Sequence, residues 1–139
     1  MAKSPYKTQK KKTWNACSKY VRTRDCLLST GSPEYGRCYT CGTEYHITKL
    51  DAGHYLPGHH MATFFDTRGI HIQCVSCNRT LEGNRIIYHE CMLRDYGKEI
   101  VAELWRLDKG VRKYSIAELK ELEAEFNQKT AILLEGVLV

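Results

Sequence analysis

Apolar residues recur with helical spacing in four stretches of the chain and with strand spacing in two. Trp14, Cys17, Tyr20 and Val21 fall at i, i+3, i+6 and i+7, the stripe that one face of a helix buries. Thr13 suits the N-cap of that helix, which is expected to end near Leu28, before the turn-rich STGSPEYG. Residues 84–97 place Ile87, Cys91 and either Leu93 or Arg94 near one face, with Gly97 as the stop. Residues 98–110 carry the stripe Ile100, Val101, Leu104, Trp105 and Leu107. Ser115 and Glu118 form a capping box ahead of Ile116, Leu119, Leu122, Phe126 and Leu133. The strand candidates are HITKL (46–50) and GIHIQ (69–73). The loop 55–68 between them is long for a small domain, and such loops are functional or disordered.

These elements predict an α+β fold with an N-terminal helix and C-terminal helices. A chain of 139 residues suits one domain, with a core small enough to profit from a staple. Residues 1–12 read as a flexible basic arm and 13–97 as a compact core. Residues 98–139 read as a helical extension, packed on the core or forming an oligomer interface. The apolar end, AILLEGVLV, serves either purpose.

Charge sharpens the picture at the N-terminus. Residues 1–24 hold eight Lys and Arg and no acid, while the other 115 carry 13 bases and 16 acids. Such a concentration fits phosphate binding through counterion release, or a solvated tail. Lys10, Lys11, Lys12, Lys19, Arg22 and Arg24 are the candidate phosphate contacts, with Arg22 and Arg24 expected on the exposed side of the first helix. No apolar run approaches a membrane span, and no apolar region follows the basic start. The expectation is a cytoplasmic protein with reduced thiols, in which seven Cys point to metal or chemistry rather than disulfides.

Cys38 and Cys41 form CYTC, and Cys74 and Cys77 form CVSC. Each two-residue spacing is a knuckle that aims both thiolates at one point, and four thiolates meet the tetrahedral preference of Zn2+. Gly42 supplies the left-handed backbone that a tight knuckle needs. A redox dithiol or buried apolar Cys are the other readings. Cys17, Cys26 and Cys91 sit in helical contexts and read as small buried residues. A closed four-thiolate site leaves no open position for catalysis, so this zinc is structural. It clamps together the ends of residues 38–77, and KLDAGHYLPGHH lies inside the clamp.

The order C-x2-C, DAGHY, C-x2-C-N resembles the HNH, or ββα-metal, nucleases. More closely, DAGHY, ATFFDTRGIHIQCVSCNR and the GN that follows resemble the NinG (Rap) family of lambdoid phages, over roughly residues 10–110. The resemblance implies a zinc-stapled ββα-metal core and a DNA endonuclease for branched recombination intermediates such as Holliday junctions and D-loops. It implies His54 as the base that deprotonates the attacking water, and Asn78 as a ligand of a catalytic Mg2+ or Mn2+. Asp51 is the best carboxylate to complete that site, and Arg79 a further phosphate contact. DNA, phage recombination proteins and a second copy of the chain are the partners it implies.

Two departures stand out. Asp51 lies three residues before His54, and residues so spaced on a regular strand face opposite sides, so Gly53 would have to allow a bulge. The central Asn of the HNH pattern falls at Gly69, so His71 or a backbone carbonyl would have to orient His54. His59, His60 and Glu82 are auxiliary candidates near the site. His71 is expected to face away from the buried side of its strand. Arg68 and Arg85 are further phosphate candidates, while His46 and His89 read as surface residues. The Gly69 departure motivates the alternative of a zinc-stapled DNA-binding module whose nuclease site has decayed. A site-specific HNH endonuclease is the third reading.

Overall fold

The computed structural model describes residues 4–137. Helix α1 runs Pro5–Thr30, twenty-six residues. The Ser4 hydroxyl accepts the Lys7 amide at 3.1 Å, and Pro5 occupies the first turn. A Ser N-cap ahead of proline is a helix start in its own right, so the flexible arm expected over 1–12 is helical from Pro5. Met1–Lys3 lie outside the described residues. Thr13 caps nothing: its hydroxyl is buried and donates to the Leu119 carbonyl at 2.7 Å. Buried Gln9 donates to Glu123 Oε1 at 2.9 Å. The lysine-rich turns are thus docked on the C-terminal helix, and α1 continues to Gly31, beyond the end expected at Leu28.

Two antiparallel pairs follow. β1 (Tyr35–Arg37) pairs with β2 (Glu44–His46), a small hairpin with no expectation behind it. The strand expected at HITKL is instead a single 3-10 turn, Ile47–Lys49, capped by the His46 imidazole accepting the Thr48 amide. The true strand is DAGH itself: β3 (Leu50–His54) pairs with β4 (Ile70–Cys74) in unbroken register, from Leu50 opposite Cys74 to His54 opposite Ile70. No bulge forms at Gly53.

A π-turn over Ser76–Thr80 leads into α2 (Arg85–Asp108), which breaks its helical geometry at Gly97, where φ is 83°. The two helices expected over 84–110 meet at that break, and the stop expected at Gly97 is where the helical geometry ends. α3 (Ile116–Glu135) starts at the Ser115–Glu118 capping box, as expected. It packs along α1 through Leu119 and Phe126, which share a core with Ala16, Cys17, Val21, Phe65 and Ile70. A second core under α2 joins Tyr55, Leu56, Tyr88, Met92, Val101 and Leu104. The β3–β4 ladder sits between the two. Among the described residues, no helix is long and apolar enough to cross a membrane.

His71 corrects a specific expectation. It points away from Ile70 and Ile72, but α2 covers that side too, and it is 4 % exposed. Nε2 takes a hydrogen bond from the Tyr96 hydroxyl at 2.8 Å, and Nδ1 donates to the Tyr88 oxygen at 3.3 Å. Tyr88 in turn donates to the Gly53 carbonyl at 2.7 Å. This relay holds β3 onto α2 immediately before His54. Burial pushes the His71 pKa down to about 4. The unfolded chain then binds a proton near pH 6.5 that the folded chain refuses, so this contribution is present above 6.5 and lost as pH falls toward 4. At roughly 1.4 kcal/mol per unit, His71 alone contributes about 3 kcal/mol of acid sensitivity. Urea unfolding at pH 7, 5.5 and 4.5 is expected to show a shallower loss of stability with acid in His71→Phe than in the parent, from a lower starting value. Equal slopes would assign the acid sensitivity elsewhere.

Candidate functional site

Two centres lie side by side. The first is the cysteine cluster. The Sγ atoms of Cys38, Cys41, Cys74 and Cys77 all lie within 4.8 Å of one another, with Cys41 and Cys74 at 3.9 Å. Thiolates bound tetrahedrally at ~2.3 Å sit roughly 3.8 Å apart, so the four can hold a metal such as zinc. The local chain explains the convergence. β1 and β2 bring Cys38 and Cys41 around a turn at Gly42, whose φ is 77°. Cys74 ends β4, and Cys77 lies in the π-turn. In each pair the amide of the second Cys points at the sulfur of the first, at 3.5 Å for Cys41 and 3.4 Å for Cys77. Burial would raise the Cys38 thiol, but hydrogen bonds from Thr40 and neighbouring amides bring it down to about 6. The other three, Cys17, Cys26 and Cys91, are buried singly, as expected.

The second centre is a cleft of about 480 Å3 between α1 and β3. His54, Asp51 and Asn78 all line it, with Trp14, Arg22 and His59. Asp51 and His54 leave a regular strand on opposite faces, yet both reach the cleft because it wraps the free edge of β3. Gly53 contributes by its missing side chain rather than by a bulge. A Cβ there would stand 2.1 Å from Gln73 Oε1 and 2.9 Å from Asn78 Oδ1. The glycine thus lets Asn78 lie against the strand, where its Nδ2 donates to Asp51 Oδ2 at 3.0 Å.

His54 is held from three sides. Its ring stacks on Trp14, with centroids 4.9 Å apart, and on Phe64 at 5.0 Å. Its Nε2 donates to the Phe64 carbonyl at 2.9 Å. That fixes the tautomer and leaves Nδ1 with the lone pair. A backbone carbonyl therefore does the bracing for which Gly69 has no side chain; His71, behind the sheet, does not. Burial between the two aromatic rings lowers the His54 pKa to about 4; the Phe64 carbonyl opposes this, and the charges of His59 and Arg85 add to it. The imidazole is therefore neutral across the physiological range and able to accept a proton.

The remaining candidates divide. Lys10 reaches over the Phe64 ring, 5.0 Å from its centroid, at the cleft edge. Lys10, Trp14, Ser18 and Arg22 recur every four residues, one stripe of α1 facing the cleft. Lys11, Lys12 and Lys19 are exposed beside it. Arg24 is not on an exposed face. It is mostly buried, pairs with Asp25 at 2.8 Å and donates to the carbonyls of Thr67 and Ile70 at 3.0 and 2.7 Å, so it pins the loop to β4. Arg79 is exposed but committed to Asp51 at 2.9 Å. Arg68 pairs with Asp66 and Glu103, and Arg85 donates to the Tyr55 carbonyl. His59 stands 4.7 Å from the His54 ring. His60 instead meets Asp108, and Glu82 lies in an exposed turn that does not line the cleft. His46 and His89 are both exposed, as expected, and His89 also meets the Tyr55 hydroxyl. Trp14 and Phe64 were missed as site residues: Trp14 reads as the buried stripe of a helix and Phe64 falls in the long loop, and only the fold brings them onto His54.

Residues 1–135 match the family model described as "NinG: Bacteriophage Lambda NinG protein". The protein ninG of Escherichia phage lambda is 32% identical over 120 residues, 86% of this chain and 54% of the relative. That of Salmonella phage P22 is also 32% identical, and that of Escherichia phage 933W 30% identical over 120 residues. The chain thus spans about half the length of these relatives. No solved structure matches it.

Proposed function

This chain belongs to the NinG family, and on that premise we propose that it is a divalent-metal-dependent endonuclease of the HNH type, acting on branched recombination intermediates such as Holliday junctions and D-loops. One observation carries the reading. A neutral imidazole, its Nε2–H tied to the Phe64 carbonyl, shares a cleft with an acid–amide pair of hard oxygens. Asp51 and Asn78 suit Mg2+ or Mn2+, which take one or two protein oxygens and fill the remaining positions with water and phosphate. Asn78 presents Oδ1 by a half-turn of its amide. When bound, the ion supplies Lewis acidity toward the phosphoryl group.

The protein's own part follows from the contacts. His54 Nδ1 takes the proton of the attacking water, because Nε2 is already committed as a donor. Trp14 and Phe64 keep the ring from turning. Lys10 and Arg22 on α1 flank the cleft, with Lys11, Lys12 and Lys19 along the exposed side of the same helix. Together they form a track for backbone phosphates, whose binding is salt-dependent and indifferent to sequence. Preference for branches then comes from DNA shape. Symmetric cutting of a junction takes two sites, hence two copies of the chain. Cys38, Cys41, Cys74 and Cys77, next to the cleft, would hold the zinc, which would keep β4 and the Asn78 turn in place.

A second reading rests on Asp51. Both its oxygens are already met by Arg79 and Asn78, as a DNA-binding module without catalysis would have them. Cleavage separates the two. The parent protein is expected to cut junction and D-loop DNA in preference to plain duplex when given Mn2+ or Mg2+, and to stop cutting in EDTA. Salt-dependent binding with no cutting under any metal would favour the module.

A further inference from the structure

The guanidinium of Arg79 lies on the carboxylate that the proposed function assigns to the divalent cation. Nε meets Asp51 Oδ2 at 3.0 Å and Nη2 meets Oδ1 at 2.9 Å, a two-pronged clasp. Asn78 Nδ2 adds a third donor on Oδ2. The Asp51 side chain is 22% exposed and that of Arg79 66%. The acid is therefore anchored in the cleft, while the base reaches in from solvent off the π-turn.

A cation and this guanidinium cannot occupy the same two oxygens. Among the described residues that line the cleft, Asp51 alone carries the negative charge that draws a divalent ion; beside it stand the neutral amide of Asn78 and the imidazoles of His54 and His59. An exposed Arg also has an alternative partner of the same geometry. Two parallel N–H donors match a phosphate as well as a carboxylate, and the clasp is exposed enough to be exchanged at little cost.

We propose that Arg79 is a positioning residue that couples cation binding to DNA binding. Without DNA it occupies Asp51 and weakens the site for the cation. When a backbone phosphate enters the cleft, Arg79 transfers its two donors to that phosphate and releases Asp51. Cation and DNA then favour each other's binding, reciprocally, through one side chain. The protein carries little divalent metal until substrate is present. This rests on the assignment of Asp51 to the cation, but not on catalysis.

The test is Mn2+ binding by the zinc-loaded protein without DNA, followed by the electron paramagnetic resonance of free Mn2+. Arg79→Ala is expected to tighten binding about fivefold or more relative to the parent, with Arg79→Lys between the two, because a single ammonium lacks the second prong. Adding Asp51→Asn to Arg79→Ala is expected to abolish the gain. Thermal melts and zinc content show that each variant is folded. Arg79→Ala with the parent's affinity or weaker, Mn2+ binding by neither protein, or a gain that survives Asp51→Asn would each overturn the proposal. As a second arm, Mn2+ is expected to tighten binding of a labelled junction more in an His54→Ala background that keeps Arg79 than in one that also carries Arg79→Ala; equal tightening would overturn the transfer. Mn2+ binding that follows this pattern in a protein that never cuts DNA would leave the coupling standing and end the nuclease reading. Metal-dependent cutting with no effect of Arg79 on Mn2+ affinity would do the reverse.

Discussion

Removing the metal from the cysteine cluster is expected to collapse the half of the molecule that holds the cleft. Cys38, Cys74 and Cys77 are each at most 3 % exposed and form a small core of their own with Tyr45. Apart from them, β1 and β2 offer little apolar surface, and three-residue strands do not persist alone. A metal held by the four sulfurs would tie this hairpin to the end of β4 and to the turn carrying Asn78, beside the Tyr39 amide that donates to the Ile72 carbonyl at 2.7 Å. Structural zinc contributes folding free energy directly, roughly 10–16 kcal/mol of apparent binding in finger peptides at neutral pH. The α1–α3 core rests on other contacts, so loss of metal should not unfold everything. If about 4 kcal/mol of it is felt by the whole chain, the melting temperature falls by roughly 10–20 °C. One zinc per chain is expected to be released by a strong chelator or absent from Cys74→Ser, with that drop in melting temperature and with most helical circular dichroism retained at low temperature. Full removal of metal with an unchanged melt would show that the site does not staple the fold, and a protein that never takes up zinc would show that the four thiols are only neighbours.

The second large effect is expected at His54. Losing a positioned general base costs ~100- to 10,000-fold in the chemical step. His54→Ala removes the ring between Trp14 and Phe64 and the Nε2–H bond to the Phe64 carbonyl. It leaves the lysines of α1 untouched, so junction affinity should remain within about threefold, since phosphate contacts set it. The parent's pH profile gives an independent signature. With the free-protein pKa near 4, the histidine stays deprotonated far below pH 6.5, so kcat/KM should not fall across an imidazole-like midpoint of 6.5. An acid limb centred there would mean that His54 is more hydrated than its stacking implies, or that another group is the base.

The parts of this site that could be read from the chain are those written in local spacing. Two CxxC pairs announce four converging sulfurs because a knuckle is a four-residue event. DAGH and the Asn that follows the last Cys are local as well, and they line one cleft. The capping box of α3 and the helix stop at Gly97 were legible for the same reason. The start of α1 was also written locally, as Ser4–Pro5, but the run of lysines was read as an arm. Charge says nothing against a helix when another helix lies alongside, and Gln9 and Thr13 reveal that neighbour only once α3 is in place.

What could not be read was decided by partners far along the chain. Arg24 and Arg22 look alike in sequence, but one clips the carbonyls of Thr67 and Ile70 and the other lines the cleft. His71 alternates with isoleucines in a way that promises a polar face, yet α2 closes over it and Tyr88 and Tyr96 satisfy it. The strand at HITKL was misplaced because its alternation is that of a strand while the His46 cap selects a turn. The expected bulge at Gly53 rested on strand parity alone. Parity holds, but a cleft around a free edge receives side chains from both faces.

The most direct measurement is single-turnover cleavage of a labelled four-way junction in Mn2+ by the parent and by His54→Ala, both zinc-loaded and both shown to bind the junction. The parent is expected to cut and EDTA to stop it, with the variant at or below about one hundredth of the parent's rate. Equal rates for the two proteins, or no cutting by a parent that binds the junction in the presence of metal, would contradict that expectation.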